Sequence, residues 1–131
     1  MKIKGVMNDR ALELEETAVM AIHRLCDVFK EGNPKIEAED ESLIASNGFG
    51  TILFRGTADE MRLLKEASRQ VVTRHDAIRR MANGSSTEHK MRIDMDNLKD
   101  HINDALEFRK YCAPKASLTE ALYQMAVTNY A

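Results

Sequence analysis

Two cysteines, two prolines and six glycines occur in the 131 residues. Cys26 and Cys112 stand alone, far apart and inside apolar helical stripes. That pattern reads as buried thiols of a reducing compartment, not as a disulfide. With so little proline and glycine and an ordinary apolar content of 44%, the chain is not expected to be disordered. No run approaches the ~18 consecutive apolar residues of a membrane span. Lys2 and Lys4 open the chain without an apolar stretch behind them, so no signal peptide is read and cytoplasm is the expected location. Met7 could serve as an alternative start, with the residues before it a frayed or strand-forming lead-in. Strong charge of one sign is also missing. Nineteen Lys and Arg against 21 Asp and Glu leave a net charge of −2, which excludes a bulk polyelectrolyte role. The length predicts one domain over 1–131.

Hydrophobic periodicity predicts an α-rich α+β domain: an antiparallel bundle of about four helices with one β-hairpin at about 42–54, between the first two. The first helix is expected over 9–31. Asn8 serves as its N-cap, and Leu12, Ala18, Val19, Ile22, Leu25, Cys26 and Phe29 line one face. Gly32 and Pro34 then stop it. Apolar runs at 42–46 and 49–54 flank Asn47-Gly48, the strongest short-range hairpin signal. That turn sets Leu43 opposite Ile52. It leaves Leu43, Ala45, Ile52 and Phe54 on one face and Ile44, Phe49 and Leu53 on the other. A ribbon apolar on both faces needs cover on both, from helices or from a partner chain. Ile36 and Ala38 could add a third short strand.

The second helix opens on a capping box, Thr57 with Glu60, and carries the seam Met61, Leu64, Ser68, Val71, His75, Ile78 and Ala82 up to Asn83-Gly84. The third starts near Ser85, Ser86 or Asp94 with the stripe Met91, Met95, Leu98, Ile102, Ala105, Leu106 and Cys112. The fourth starts at the Ser117–Glu120 box, presents Leu118, Leu122, Met125 and Ala126, and acts as a lid on a three-helix core. Polar Ser68 and His75 inside a seam point to register or a partner helix.

Chemistry-bearing patterns are sparse. No two histidines share a zinc spacing, and no CxxC occurs. Asp96, Asp100 and Asp104 repeat down one helical face beside His101, a pattern expected of a solvated acidic face. Glu13-x-x-Glu16 would set two carboxylates on one helix face, as in the ExxE half of the magnesium site of all-α nucleoside-triphosphate pyrophosphohydrolases. The ExxD half is missing, since Asp100 and Asp104 are spaced by four. Arg69-x5-His75 has the loose Arg–His spacing of helical HEPN ribonucleases, but six residues place the pair about 120° apart on a helix. The loop Asn47-Gly48-Phe49-Gly50 lacks the Lys-Ser/Thr of a phosphate loop. No catalytic residue, metal ligand or cofactor is assigned.

Charge is segregated along the chain. Residues 1–61 carry −5, residues 62–92 carry +5 and residues 93–131 carry −2. Arg62, Lys65, Arg69 and Arg80 fall on one outward face of the second helix, interrupted by Asp76. Arg79, Lys90 and Arg92 gather near its end. This patch could meet phosphates, or the acidic Glu37, Glu39, Asp40 and Glu41 of a second copy. The leading expectation is a non-enzymatic protein-interaction or regulatory module, possibly a small accessory inhibitor of the phage or mobile-element type, acting as a homodimer. It would dock through the basic patch and the hairpin face of Ile44, Phe49 and Leu53. The alternatives are a nucleic-acid-binding protein using the 62–92 patch and a magnesium-dependent helical nucleotide hydrolase. No aromatic interleaves the patch to stack on bases.

Overall fold

A computed structural model describes residues 1–81 and 87–129. The elements run β1 (Lys2–Met7), β2 (Arg10–Glu15), α1 (Ala18–Val28), β3 (Lys35–Ala38), β4 (Ser42–Asn47), β5 (Gly50–Arg55), α2 (Ala58–Met81), α3 (Thr87–Cys112) and α4 (Leu118–Asn129). The strands form one antiparallel five-stranded sheet in the order β2-β1-β5-β4-β3. This corrects the expected helical bundle with a single hairpin. The helices form a layer on one face of a complete sheet.

The largest correction concerns residues 8–16, expected as the first turns of a helix. Asn8 and Asp9 have φ of 53° and 62°, the paired left-handed conformation of a type I′ hairpin turn. Asn and Asp are favoured at helix N-caps and also tolerate left-handed backbone, so the two readings share one signature. The following Arg-Ala-Leu-Glu-Leu-Glu alternates with a period of two. Leu12 and Leu14 turn inward and Glu13 and Glu15 outward. The helix starts at Thr17, whose hydroxyl accepts from the Met20 amide at 3.2 Å. Residues 2–7, treated as a lead-in, form the strand that joins β2 to β5.

The segments 42–46 and 49–54 lie in β4 and β5, with a different register. Asn47 pairs with Gly50 and Leu43 with Phe54, so Gly48 and Phe49 are the turn residues. Neither has positive φ. The Asn47 side chain holds the turn instead: its carboxamide accepts from the Phe49 amide (2.8 Å) and donates to the Val28 carbonyl (2.9 Å). The slip relative to the expected pairing is two residues, so every side chain keeps its face. Leu43, Ala45, Ile52 and Phe54 point to the helices and are buried. β3 pairs with β4 and brings Ile36 to the same inner face.

The inner face is sealed by α1 and α2, both in contact with β4, and α3 packs on both helices. Ile22, Leu25 and Cys26 of α1, Leu64 and Val71 of α2, and Met95 and Ile102 of α3 close the core with Ile3 and Phe54. The α2 seam buries Met61, Leu64, Ser68, Val71 and Ile78, with His75 half-buried. Ala82, the Asn83-Gly84 stop and the Ser85 capping box lie outside the described residues. Ser68 needs no partner helix, because its hydroxyl donates to the Lys65 carbonyl one turn back (2.7 Å). Cys112, placed in the α3 stripe by periodicity, ends the helix and is exposed. α4 rests on α3 and α2. Its first amide, Leu118, donates to the Glu66 carboxylate (2.7 Å), and Thr119 accepts from Gln70 (3.2 Å).

At one point β1 and β5 approach too closely for side chains. A methyl on Gly5 would overlap the Thr51 carbonyl, and one on Gly50 the Val6 carbonyl. Gly5→Val is therefore expected to cost roughly 2 kcal/mol or more, read as a lower urea midpoint. Asp9→Gly is expected to stabilise by roughly 0.5–1 kcal/mol, read as a higher urea midpoint, because glycine adopts left-handed backbone without a Cβ penalty. A neutral or destabilising Asp9→Gly would contradict the type I′ turn.

Candidate docking surfaces

The seven cations of the expected patch do not act as one surface. Lys65 turns back to donate to the Asp40 carbonyl of its own chain (3.3 Å), and Arg79 donates to the Gly32 carbonyl (3.3 Å). Arg92 pairs with Glu31 at 2.6 Å, and Arg62 with Asp59 at 3.0 Å. Arg69, Arg80 and Lys90 remain exposed without a partner among the described residues. Arg62, Arg69 and Arg80 share the outward stripe of α2 with Thr73 and Asp76.

The apolar half of the expected surface lies elsewhere. Ile44 and Leu53 are cross-strand neighbours on the sheet face turned away from the helices, and both are half-buried. Phe49 does not join them. It sits 49% exposed in the β4–β5 turn, beside the β1–β2 turn, where the Asn8 amide donates to its carbonyl (3.0 Å). The basic α2 stripe and the Ile44–Leu53 pair are thus on opposite sides of the molecule, and no single flat partner surface can cover both.

The open sheet face carries residues that helical periodicity does not single out, because they lie on β1, in the segment that the sequence leaves as a frayed or strand-forming lead-in. Across it run the rows Glu15–Lys2–Arg55–Ser42, Glu13–Lys4–Leu53–Ile44–Glu37 and Ala11–Val6–Thr51–Ser46–Lys35. Lys2 stands directly opposite Arg55, a like-charge neighbour pair that costs stability. Neither cation, nor Lys4 beside them, makes an ion pair among the described residues. A cleft of about 450 Å³ lies here, lined by Lys2, Lys4, Glu13, Glu15, Leu53 and Arg55 among others. Val6, 51% exposed, extends the apolar strip. The alternation Lys-Ile-Lys-Gly-Val-Met was the sequence signal for this face.

The groups weighed for chemistry have structural partners or none. Glu13 lies on β2 and Glu16 beyond its end, so they do not share a helix face. Glu16 accepts two bonds from the Arg24 guanidinium at 2.7 Å each. Those bonds outweigh burial and hold the Glu16 carboxyl below its ordinary value. Asp96 is taken up with Asp27 by Lys30 and Lys99, an alternating-charge cluster that ties α1 to α3 (Lys30–Asp96 2.6 Å, Lys99–Asp96 3.4 Å). Burial works against the charged Lys30, but its bonds to Asp27 and Asp96 raise its pKa all the same. Asp100 and Asp104 stay exposed on α3. His23 bonds Asn103 (2.9 Å) between α1 and α3. His75 packs edge-on to Phe29 (5.4 Å), and burial pushes its pKa down, while Arg69 points outward from the same helix. Burial pushes the Cys26 thiol up to about 12, leaving no thiolate at neutral pH. Among the described residues no three His, Cys, Asp or Glu side chains group as metal ligands, and no helix is long and apolar enough to cross a membrane.

The Glu16–Arg24 pair, with side chains 18% and 32% exposed, generates a pH-dependent test. A depressed folded pKa means that the pair's stabilisation is complete above the unfolded value near 4.5 and is lost as pH falls through the folded value. Glu16→Gln should cost roughly 1 kcal/mol at pH 7. The gap to the unsubstituted protein should narrow as pH falls below 4.5 in denaturant titrations, and a gap independent of pH would contradict the pairing. Comparison with family models, with curated proteins and with solved structures finds no match to this chain.

Proposed function

We propose that the chain is a non-enzymatic protein-binding module whose partner docks on the open face of the sheet. The observation that carries this reading is the cation group Lys2, Lys4 and Arg55, which outnumbers the facing Glu13 and Glu15 and makes no ion pair among the described residues, beside the half-buried Leu53–Ile44 pair on a sheet face that no helix covers. Like charges side by side on neighbouring strands destabilise the free protein and are relieved by an incoming anion. An apolar strip next to them supplies burial. The matching occupant is an amphipathic helix with an apolar ridge for Leu53, Ile44 and Val6 and a carboxylate-bearing flank for the cations. Binding of this kind suits a regulator or inhibitor that works by occupying a surface. Two unpaired cysteines, one of them with its thiol buried and protonated, fit a reducing compartment, and the cytoplasm is the proposed location.

Two amphipathic helical peptides with the same leucine ridge, one with a glutamate flank and one with a lysine flank, test the reading by fluorescence anisotropy. The glutamate peptide is expected to bind with a dissociation constant on the order of 10 µM or tighter, and the lysine peptide far more weakly. Lys4→Glu should weaken the glutamate peptide at least tenfold with little change in melting temperature, since Lys4 is exposed on the open face, and Leu53→Asp should weaken it as much at some cost in stability, since Leu53 is half-buried. Absent binding, or binding indifferent to flank charge and to both substitutions, would sink the proposal. Retention on duplex DNA at low salt, lost on Arg69→Glu with Arg80→Glu, would favour the nucleic-acid alternative instead.

A further inference from the structure

The sheet ends in two edge strands of unlike character. β3 is four residues long, follows Pro34 and runs into the acidic segment 39–41. Short edges broken by proline and charge resist pairing with another chain. β2 is six residues long, contains no proline and keeps an unbroken register with β1. Its Ala11, Glu13 and Glu15 are exposed, and no element flanks its outer side among the described residues.

The bonding pattern shows which backbone groups β2 turns outward. Met1 and Glu16 exchange both bonds, the Met1 amine to the Glu16 carbonyl at 2.7 Å and the Glu16 amide to the Met1 carbonyl at 2.9 Å. Bonded pairs alternate with unbonded ones along an antiparallel ladder. Leu14 and Leu12 therefore bond to β1, and the amides and carbonyls of Ala11, Glu13 and Glu15 point away from it. The Glu13 and Glu15 side chains stand beside these groups on the open face and make no ion pair among the described residues. On the inner face Leu12 and Leu14 are only half-buried, and Leu12 lines a cleft of about 410 Å³ with Arg24 and Asp27 of α1 among others. The helical layer thus leaves the β2 rim partly uncovered.

The strand that β2 already pairs with shows what its side chains accept. β1 sets Lys2 opposite Glu15, Ile3 opposite Leu14 and Lys4 opposite Glu13. The outer side of β2 offers the same carboxylates and the same leucines to a second strand. A second copy of β2 is a poor occupant. Pairing the strand with itself, faces kept, sets Glu13 against Ala11 or another acid, because Arg10 shares the inner face with Leu12. The two glutamates thus turn away acidic strands and admit basic ones.

We infer that the outer edge of β2 is a strand-addition site for an extended segment of a partner protein in which Lys or Arg alternates with aliphatic residues. The segment runs antiparallel to β2, with cations opposite Glu13 and Glu15 and apolar side chains opposite Leu12 and Leu14. The rim takes a basic strand, whereas the open face is proposed to take an acidic helix, so the two readings stand or fall separately.

A labelled, end-capped Thr-Lys-Ile-Lys-Val-Thr peptide tests the inference by fluorescence anisotropy against the full chain. N-methylation of both lysines removes amides that face β2 and should weaken binding about tenfold or more. N-methylation of the isoleucine and valine, whose amides face away, should change it by no more than about twofold. Glutamate in place of both lysines should abolish binding. Glu13→Pro removes an outward amide at an edge position, where proline is tolerated, and should abolish binding too. The two methylated peptides decide the question on the unsubstituted chain whether or not the Glu13→Pro chain folds. A peptide that does not bind overturns the inference. So does binding that ignores which amides are methylated, or equal binding of the glutamate version. Self-association of the chain that Glu13→Pro removes would put a second copy on this edge and overturn the choice of occupant.

Discussion

The pairing of β1 with β5 is the constraint on which the rest of the molecule depends. It links the N-terminal hairpin to the β3–β5 meander across more than forty residues, and it converts two small ribbons into a five-stranded sheet. The two-stranded N-terminal ribbon would be marginal alone in water. Gly5 and Gly50 make the approach possible by removing side chains where the two backbones come closest. Once joined, the sheet presents Ile3, Leu43, Ala45, Ile52 and Phe54 as one buried face, and α1 and α2 have a continuous floor to pack on. The long sequence separation of this pairing also places its formation late relative to the local α2 and α3 helices.

Closing the sheet decides where function can sit. With every helix on one side, the other side of the sheet must be solvated or covered by something else. Glu15 and Glu13 stand across from Lys2 and Lys4 on this face, but Lys2 also faces Arg55, and none of these cations makes an ion pair among the described residues. On the helical side the cations behave differently. Lys65, Arg79 and Arg92 fasten α2 and α3 to loops and to the end of α1, which leaves the α2 stripe to face outward. The near-zero total charge therefore hides unlike surfaces, one of mixed charge on the open sheet face and one basic stripe along the outside of α2.

How much of this was legible in the sequence follows from which signals are unique. The capping signals at Thr57–Glu60 and Ser117–Glu120 are specific: the first forms a reciprocal box (Thr57 amide to Glu60 2.9 Å, Glu60 amide to Thr57 3.2 Å), and at the second the Ser117 hydroxyl accepts from the Glu120 amide (3.1 Å). The apolar stripes of α2 and α3 are long enough for periodicity to be decisive, and Met61 to Ile78 and Met91 to Ala105 are buried as a seam requires. The N-terminal third was misread because its signals are shared between structures. Asn8-Asp9 suits a cap as well as a left-handed turn. Leu12 satisfies a three-and-four spacing with Ala18 and Val19 while also alternating with Glu13 and Leu14. The alternation of Lys-Ile-Lys-Gly-Val-Met suits a strand, but the distant β1–β5 pairing leaves no local trace, so the grouping of Lys2 and Lys4 with Arg55 follows only from the fold. The Ile44–Leu53 pair could be read from alternation, but the side of the molecule it would occupy depended on the unseen strand.

Native-state hydrogen exchange of the β1 amides tests the account most directly. β1 is hydrogen-bonded on both sides, to β2 and to β5, so its interior amides from Ile3 to Val6 have no solvent-facing partner. Their exchange should require global unfolding, with the same denaturant dependence as the amides of Leu64 and Leu98 in the helical core. Fast exchange of residues 3–6 under conditions where α2 and α3 remain protected would contradict a sheet built on β1, and with it the open face assigned to binding.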